Sequence, residues 1–378
     1  MPDQVRFPAG RAALLALPGL ALLAGLNAAL LLLDLPAPVD VQRLPDVHGV
    51  LLVLGFAGAL VALERAVALR RAWGYLAPAG MGAGGLLLLS PLPLAAGGWL
   101  LVTGTLALGA VYLGLWRRQP AAAVTVQAGG AVLAAGAALL WVAAVPVSSM
   151  LPWLAGFLVL TIAGERMELS RIGSLDPRAE AAATLLSSAL VAGAVASLLW
   201  PAVGTALFGG TLLALVGWLV RYDVARHTIG STGLPRFTAG CLLAGYAWLA
   251  VAAAVWLLAG PELRGGAYDA AVHAVFLGFV ISMIMAHAPV ILPAVLRRRL
   301  PYHRAMVAPA VLLHASLLLR TTAGDARGID WAWQWGGLLN IVAVLAFVAI
   351  SVWSVATAAR PGPHVPVPTS EPHVEAAR

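Results

Sequence analysis

Apolar residues along this chain fall in successive runs of about 17–25 residues, each long enough to cross about 30 Å of hydrocarbon at about 1.5 Å per residue. Charged residues, prolines and glycines divide the runs. Read between those breaks, the pattern predicts helices near 11–33, 48–69, 75–92, 97–115, 121–143, 149–168, 181–200, 202–220, 237–259, 268–293, 304–320 and 335–358. The expected fold class is all-α: a polytopic membrane protein of about twelve transmembrane helices, with 1–360 as a single transmembrane domain. The polar, proline-rich segment 361–378 reads as a disordered cytoplasmic tail, its His364 and His373 incidental.

Composition agrees with that pattern. At 61% hydrophobic and 10% charged residues, the chain is far from the roughly 45–50% apolar and 25% charged of a soluble domain, so membrane lipid is the expected partner. All 23 basic residues are arginine, which fits a GC-rich coding bias rather than a function. A net charge of +7 raises the question of nucleic acid, but the arginines stand singly or in short clusters at helix ends, so no nucleic-acid partner is implied. Most of them, including Arg70, Arg71, Arg117, Arg118, Arg221 and the triplet Arg297 to Arg299, fall in alternate connections. The other connections mix Arg43, Arg264, Arg320 and Arg327 with Asp34, Asp40, Asp46, Glu262, Asp269, Asp325 and Asp330. The positive-inside rule makes the first side cytoplasmic and places both termini there. Cys241 is the one cysteine; it rules out an intrachain disulfide and reads as a small core residue. The first run has no small-residue cleavage site before Asp34 and is expected to be retained as a helix.

A repeat runs beneath the hydropathy. The second helix carries Gly55-Phe56 and, nine residues after the glycine, Glu64-Arg65; the sixth carries Gly156-Phe157 and Glu165-Arg166 at the same offset. The tenth carries Gly278-Phe279 with His287-Ala288 in that place. Recurrence on helices two, six and ten suggests three successive four-helix units, with the functional site at their interfaces. Gly55, Gly156 and Gly278 would thin the helix wall for a neighbouring helix or a flat ligand.

Ionisable groups inside hydrocarbon are costly and need a partner, a wet cavity or a cofactor. His48 opens the second helix and His273 lies about one turn into the tenth, at similar depth near the non-cytoplasmic surface. Two facing imidazoles, each with its second ring nitrogen held by a hydrogen bond, suit a six-coordinate haem iron. The bland alternative is that both cap helix ends. Arg320, at the outer end of the eleventh helix, is placed to neutralise haem propionates. His314 on the same helix is a candidate for a further metal or proton relay, or a histidine bonded to backbone. Met283, Met285 and His287 form a thioether and imidazole string that would favour copper, although only Met283 and His287 share a helix face. Glu64-Arg65 and Glu165-Arg166 read as bracing between repeats or as proton-entry or quinol-facing groups. The segment from His287 to Pro293 reads as a broken helix end.

The pattern His273-Ala-x3-Gly278-x4-Met283, with the histidine-initiated second helix that contains Gly-Phe, resembles the NnrS family of haem- and copper-containing membrane proteins with twelve helices. Histidines on helices two and ten, within three four-helix arcs, also resemble the main subunit of haem-copper oxidases. There a low-spin haem lies between those two helices and arginines after the eleventh meet its propionates, a position matched by Arg320. Two departures matter: residues 149–200 hold no histidine where the oxidases carry copper ligands, and His48-Gly49 stands where the NnrS family has a His-Glu pair. The resemblance implies haem b, with copper as a second candidate, and a role in nitric oxide handling or membrane electron transfer in the bacterial cytoplasmic membrane. Quinol or a redox protein would then be the partner. The rival expectations are a secondary transporter of a small solute and a cofactor-free accessory subunit of a respiratory complex.

Overall fold

The computed structural model describes residues 9–171, 175–296 and 300–358. The tail 361–378 and the triplet Arg297 to Arg299 lie outside the described residues. Within them the chain is helical, without a strand. Its principal helices are α1 (Ala9–Leu32), α2 (Arg43–Leu69), α3 (Leu76–Leu87), α4 (Leu94–Arg118), α5 (Ala122–Val142) and α6 (Leu151–Arg171). They continue as α7 (Pro177–Leu199), α8 (Pro201–Tyr222), α9 (Gly233–Leu258), α10 (266–296), α11 (Arg304–Asp325) and α12 (Asp330–Thr357). Among the described residues, ten are long and apolar enough to cross a membrane, all but α3 and α6. The short α3 has 12 residues, and α6 ends on the charged Glu165, Arg166 and Glu168.

Local chemistry sets the boundaries. Asp176 caps α7, its carboxylate accepting from the Arg178 N–H, with Pro177 in the first helical position. Arg70 ends α2 in the left-handed region at φ 56°. Glycines let α3 and α4 pack backbone to backbone: a Cβ at Gly80 would stand 2.9 Å from the Gly104 Cα. Large apolar side chains such as Leu106, Val132, Leu185, Val311 and Val352 point outward, the arrangement of a lipid-facing surface. Exposed tryptophans collect at both ends, Trp73, Trp116 and Trp353 at one and Trp99, Trp200, Trp331 and Trp335 at the other, as in interfacial aromatic belts.

Helices adjacent in the chain pack on one another, and α12 returns to touch α1. Around α2, α6 and α10, the flanking helices also meet: α1 with α3, α5 with α7, and α9 with α11. The three repeat-bearing helices therefore lie inside, and α10 touches both α2 and α6. Consistent with that, the apolar windows of α2 and α10 are 67% and 61% buried, against 33–56% for the other eight spans.

Several expected limits shift. The second helix starts at Arg43, so His48 sits inside it rather than opening it. The third stops at Leu87, and the last begins at Asp330. The tenth does not break at its prolines but runs on through Pro289 and Pro293 to Leu296, since in apolar surroundings an irregular stretch would expose more unpaired backbone than the prolines do. Nor does α11 end at Arg320: π-helical turns carry it on to Asp325, with Arg320 only 6% exposed because its charge is met by Asp269.

Candidate functional site

The interior helices α2 and α10 each widen at the same place. The π-helical turns span Leu51–Gly58 in α2 and Ala274–Ile281 in α10. They begin just beyond His48 and His273 and enclose the shared Gly-Phe pairs. A π turn accommodates an extra residue and re-aims the side chains beside it, which is why such turns gather at functional sites.

Both histidines line one cavity of about 390 Å³, near the end of the bundle that carries the mixed-charge connections. That volume lies within the range of about 300–1,000 Å³ typical of small-ligand sites. Its walls come from α1, α2, α6, α10, α11 and α12, and most of them are apolar: Leu26, Val53, Phe56, Leu154, Phe276 and Val280 among others. The polar groups are few and gather on one side, with Asp269, Tyr268, Arg320, Trp333 and Asn340 joining the two histidines.

The tautomers follow from the partners. The His48 Nδ1 lies 3.0 Å from the Gly25 carbonyl of α1. The His273 Nδ1 lies 2.8 Å from the Asp269 carbonyl and 3.2 Å from its carboxylate. Carbonyls and carboxylates only accept, so Nδ1 carries a proton in both rings, and in the neutral imidazole Nε2 keeps its lone pair. Neither Nε2 has a hydrogen-bond partner among the described residues. The site thus offers two imidazole lone pairs, each ring oriented by a bond to its other nitrogen, the usual support of a metal-binding histidine.

Asp269 is the hub of the polar side. Besides His273, its carboxylate accepts from Arg320 Nε at 2.9 Å, Arg320 Nη2 at 3.1 Å and Trp333 Nε1 at 3.2 Å. The guanidinium also lies 5.3 Å from the Trp333 ring centroid. Arg320 is therefore already paired, with its Nη1 over Gly337 and without a hydrogen-bond partner among the described residues. Asn340 donates to the Leu313 carbonyl and the Ser316 hydroxyl, leaving its buried Oδ1 unpartnered.

The other candidates lie elsewhere. Gly55 faces Gly85 of α3 and Gly278 faces Trp248 of α9, so both serve helix crossings rather than the cavity wall. Both nitrogens of His314 are engaged, Nδ1 accepting from Trp248 at 3.1 Å and Nε2 meeting the Ser282 hydroxyl at 3.2 Å. His287 donates from Nδ1 to the Met283 carbonyl, and its Nε2 accepts from Arg166 at 3.3 Å. Met283 is buried against Gly245 of α9. Among the described residues no group of three or more His, Cys, Asp or Glu stands ready for a metal ion.

Sequence reasoning passed over Asp269 as a site residue, as well as Trp333 and Asn340. The signal for Asp269 was present: an acid four residues before a histidine shares its helix face. In the connection after α8, burial alone would raise the Asp223 pKa, but hydrogen bonds and charge from Arg166 and a bond from Tyr246 hold it below the ordinary carboxylate value.

An all-helical, multi-pass membrane protein with a histidine-lined cavity between its interior helices is the class that fold and site define. The chain belongs to the family described as a domain of unknown function, DUF8744, whose pattern matches residues 11–356. No curated protein and no solved structure matches it.

Proposed function

We propose that this protein holds one haem b between α2 and α10, with His48 and His273 as axial ligands, and serves nitric oxide handling or electron transfer in the bacterial cytoplasmic membrane. The observation that carries the reading is the pair of Nε2 lone pairs in one apolar cavity, each ring fixed through Nδ1. The residues present fit such a group: apolar walls for the macrocycle and, at the polar side, an Arg320 Nη1 without a hydrogen-bond partner among the described residues. When bound, haem would supply one-electron redox chemistry and ligand binding at iron. The chain's own part is to orient the imidazoles, through Gly25 and Asp269, and to keep water off the apolar wall. Because Asp269 balances Arg320, a propionate would meet a neutralised pair and the free Nη1 amino group rather than a bare cation.

The finer architecture belongs to the same proposal. Twelve crossings arranged as three arcs of four, with both termini in the cytoplasm, account for the interior placement of α2, α6 and α10. They also account for the concentration of arginines at one end. This would make the chain a relative of the NnrS family and, more remotely, of the haem-copper oxidases.

The test is a reduced-minus-oxidised optical spectrum of the detergent-purified protein, repeated for His48→Ala and His273→Ala. The expected outcome is a bis-histidine haem b signal in the wild type that both variants lose. A colourless wild type, or variants with a full complement of haem, would overturn the reading and leave transport of a small solute or a cofactor-free accessory role.

A further inference from the structure

A second polar cluster occupies the opposite, arginine-rich end of the same three interior helices, and the cavity does not use it. Glu64 of α2, Glu165 of α6 and His287 of α10 each stand nine residues beyond the repeat glycine, and the fold brings these equivalent positions together. Arg65 pairs with Glu64 and, at 3.3 Å, with Glu165, through the same Nη2. Arg166 donates to His287 at 3.3 Å, and Glu64 lies within electrostatic reach of that ring.

Among the described residues, charge within the cluster does not balance. Arg166 is committed to Asp223 by two bonds of 2.7 and 3.0 Å, and the Tyr246 hydroxyl donates to the same carboxylate at 2.6 Å. His287 donates from Nδ1 and accepts at Nε2, so it is neutral. Glu168, one turn on from Glu165, is exposed to the side. Among the described residues, what remains is two carboxylates, 24% and 15% exposed, sharing the guanidinium of Arg65. In surroundings of low dielectric, two acids on one cation cannot both ionise cheaply, and a proton taken up between them restores neutrality.

An independent observation bears on the same spot. The Tyr112 hydroxyl, Arg65 Nε and both ends of the Gln127 amide are buried without a hydrogen-bond partner. Tyr112 of α4 lies within electrostatic reach of Arg65, Glu165 and Glu64, and Gln127 of α5 rests on Gly164, next to Glu165. Buried polar atoms without protein partners are as a rule satisfied by internal water.

We propose that Glu64 and Glu165 hold one exchangeable proton between them over Arg65, at the junction of α2, α4, α5 and α6. The proton is bound from, and released to, the aqueous phase at the arginine-rich end, with no bond other than the carboxyl O–H made or broken. Along α6 the site lies two turns, about 10 Å, from Leu158 on the cavity wall. A negative charge arriving in the cavity would therefore be felt here and offset by proton uptake, and a positive one by proton release. That coupling rests on the cavity reading; the proton site itself does not.

Infrared spectroscopy distinguishes a carboxylic acid, with its carbonyl stretch, from an ionised carboxylate. Spectra of purified wild-type protein at neutral pH are compared with those of Glu64→Gln and Glu165→Gln, in H2O and D2O. Either amide removes one carboxylate and leaves the other matched by Arg65, so each wild-type-minus-variant difference should contain the same single carboxylic-acid band, shifted by D2O. Other protonated acids cancel in the difference. A wild-type-minus-variant difference that lacks this band, for either variant, overturns the proposal. So does a wild type without exchangeable carboxylic-acid intensity, a readout that does not depend on how well the variants fold.

Discussion

At the scale of single residues, the decisive group is Asp269. It holds His273 by its carbonyl and carboxylate and neutralises the nearly inaccessible Arg320. Removing one partner of a buried ion pair leaves an uncompensated charge and costs about 3–5 kcal/mol, whereas removing both is far milder. Asp269→Asn and Arg320→Met should therefore each lower detergent-solubilised stability sharply. The double variant should recover part of the loss, with a coupling of about 0.5–3 kcal/mol in a double-mutant cycle. Additive losses in thermal unfolding would show that the pair is not a unit. His48 and His273 were legible in the sequence because imidazoles are rare in apolar runs. Asp269 read as one more acid of an outer connection, since its partners Arg320 and Trp333 come from 51 and 64 residues away, a juxtaposition that only folding supplies.

At the scale of elements, the apolar helices were legible, ten of them long and apolar enough to cross a membrane, because length and hydropathy state the solvent directly, while their ends and internal turns were not. The extra turn of α2 before His48 is polar and looks like loop, and the continuation of α11 past Arg320 depends on a neutralising partner on another helix. The π turns of α2 and α10 leave no mark in hydropathy. The repeat glycines were visible, but their use differs from a ligand wall. A Cβ on Gly55 would stand 3.0 Å from the Gly85 Cα, and backbone cannot yield as a flexible side chain does. Gly55→Val should therefore separate α2 from α3 and destabilise the protein by about 1–3 kcal/mol, the usual penalty of overpacking. Gly109→Val, with open space around it, is the control; equal losses in the two would mean that the crossing is not tight.

At the scale of the whole molecule, the arrangement turns on α3. Its 12 residues rise only about 18 Å, short of the roughly 30 Å of a hydrocarbon core, yet it is locked backbone to backbone on α4, which is long enough to cross. If α3 with its preceding turn Ala72–Tyr75 crosses, the chain makes an even number of passes and every arginine-rich connection faces the cytoplasm. If it turns back, the two halves of the chain disagree on orientation. Cysteine labelling resolves this, because the native Cys241 is buried and contributes little background, while Arg71, Leu92, Gln119 and Glu262 are all exposed. With a membrane-impermeant thiol reagent, Leu92→Cys and Glu262→Cys should react in intact cells, and Arg71→Cys and Gln119→Cys only after the membrane is opened. Leu92→Cys protected together with Arg71→Cys, and Gln119→Cys reactive from outside, would make α3 re-entrant and break the three-arc arrangement. The two interior histidines would still share their cavity, since no residue of α3 lines it.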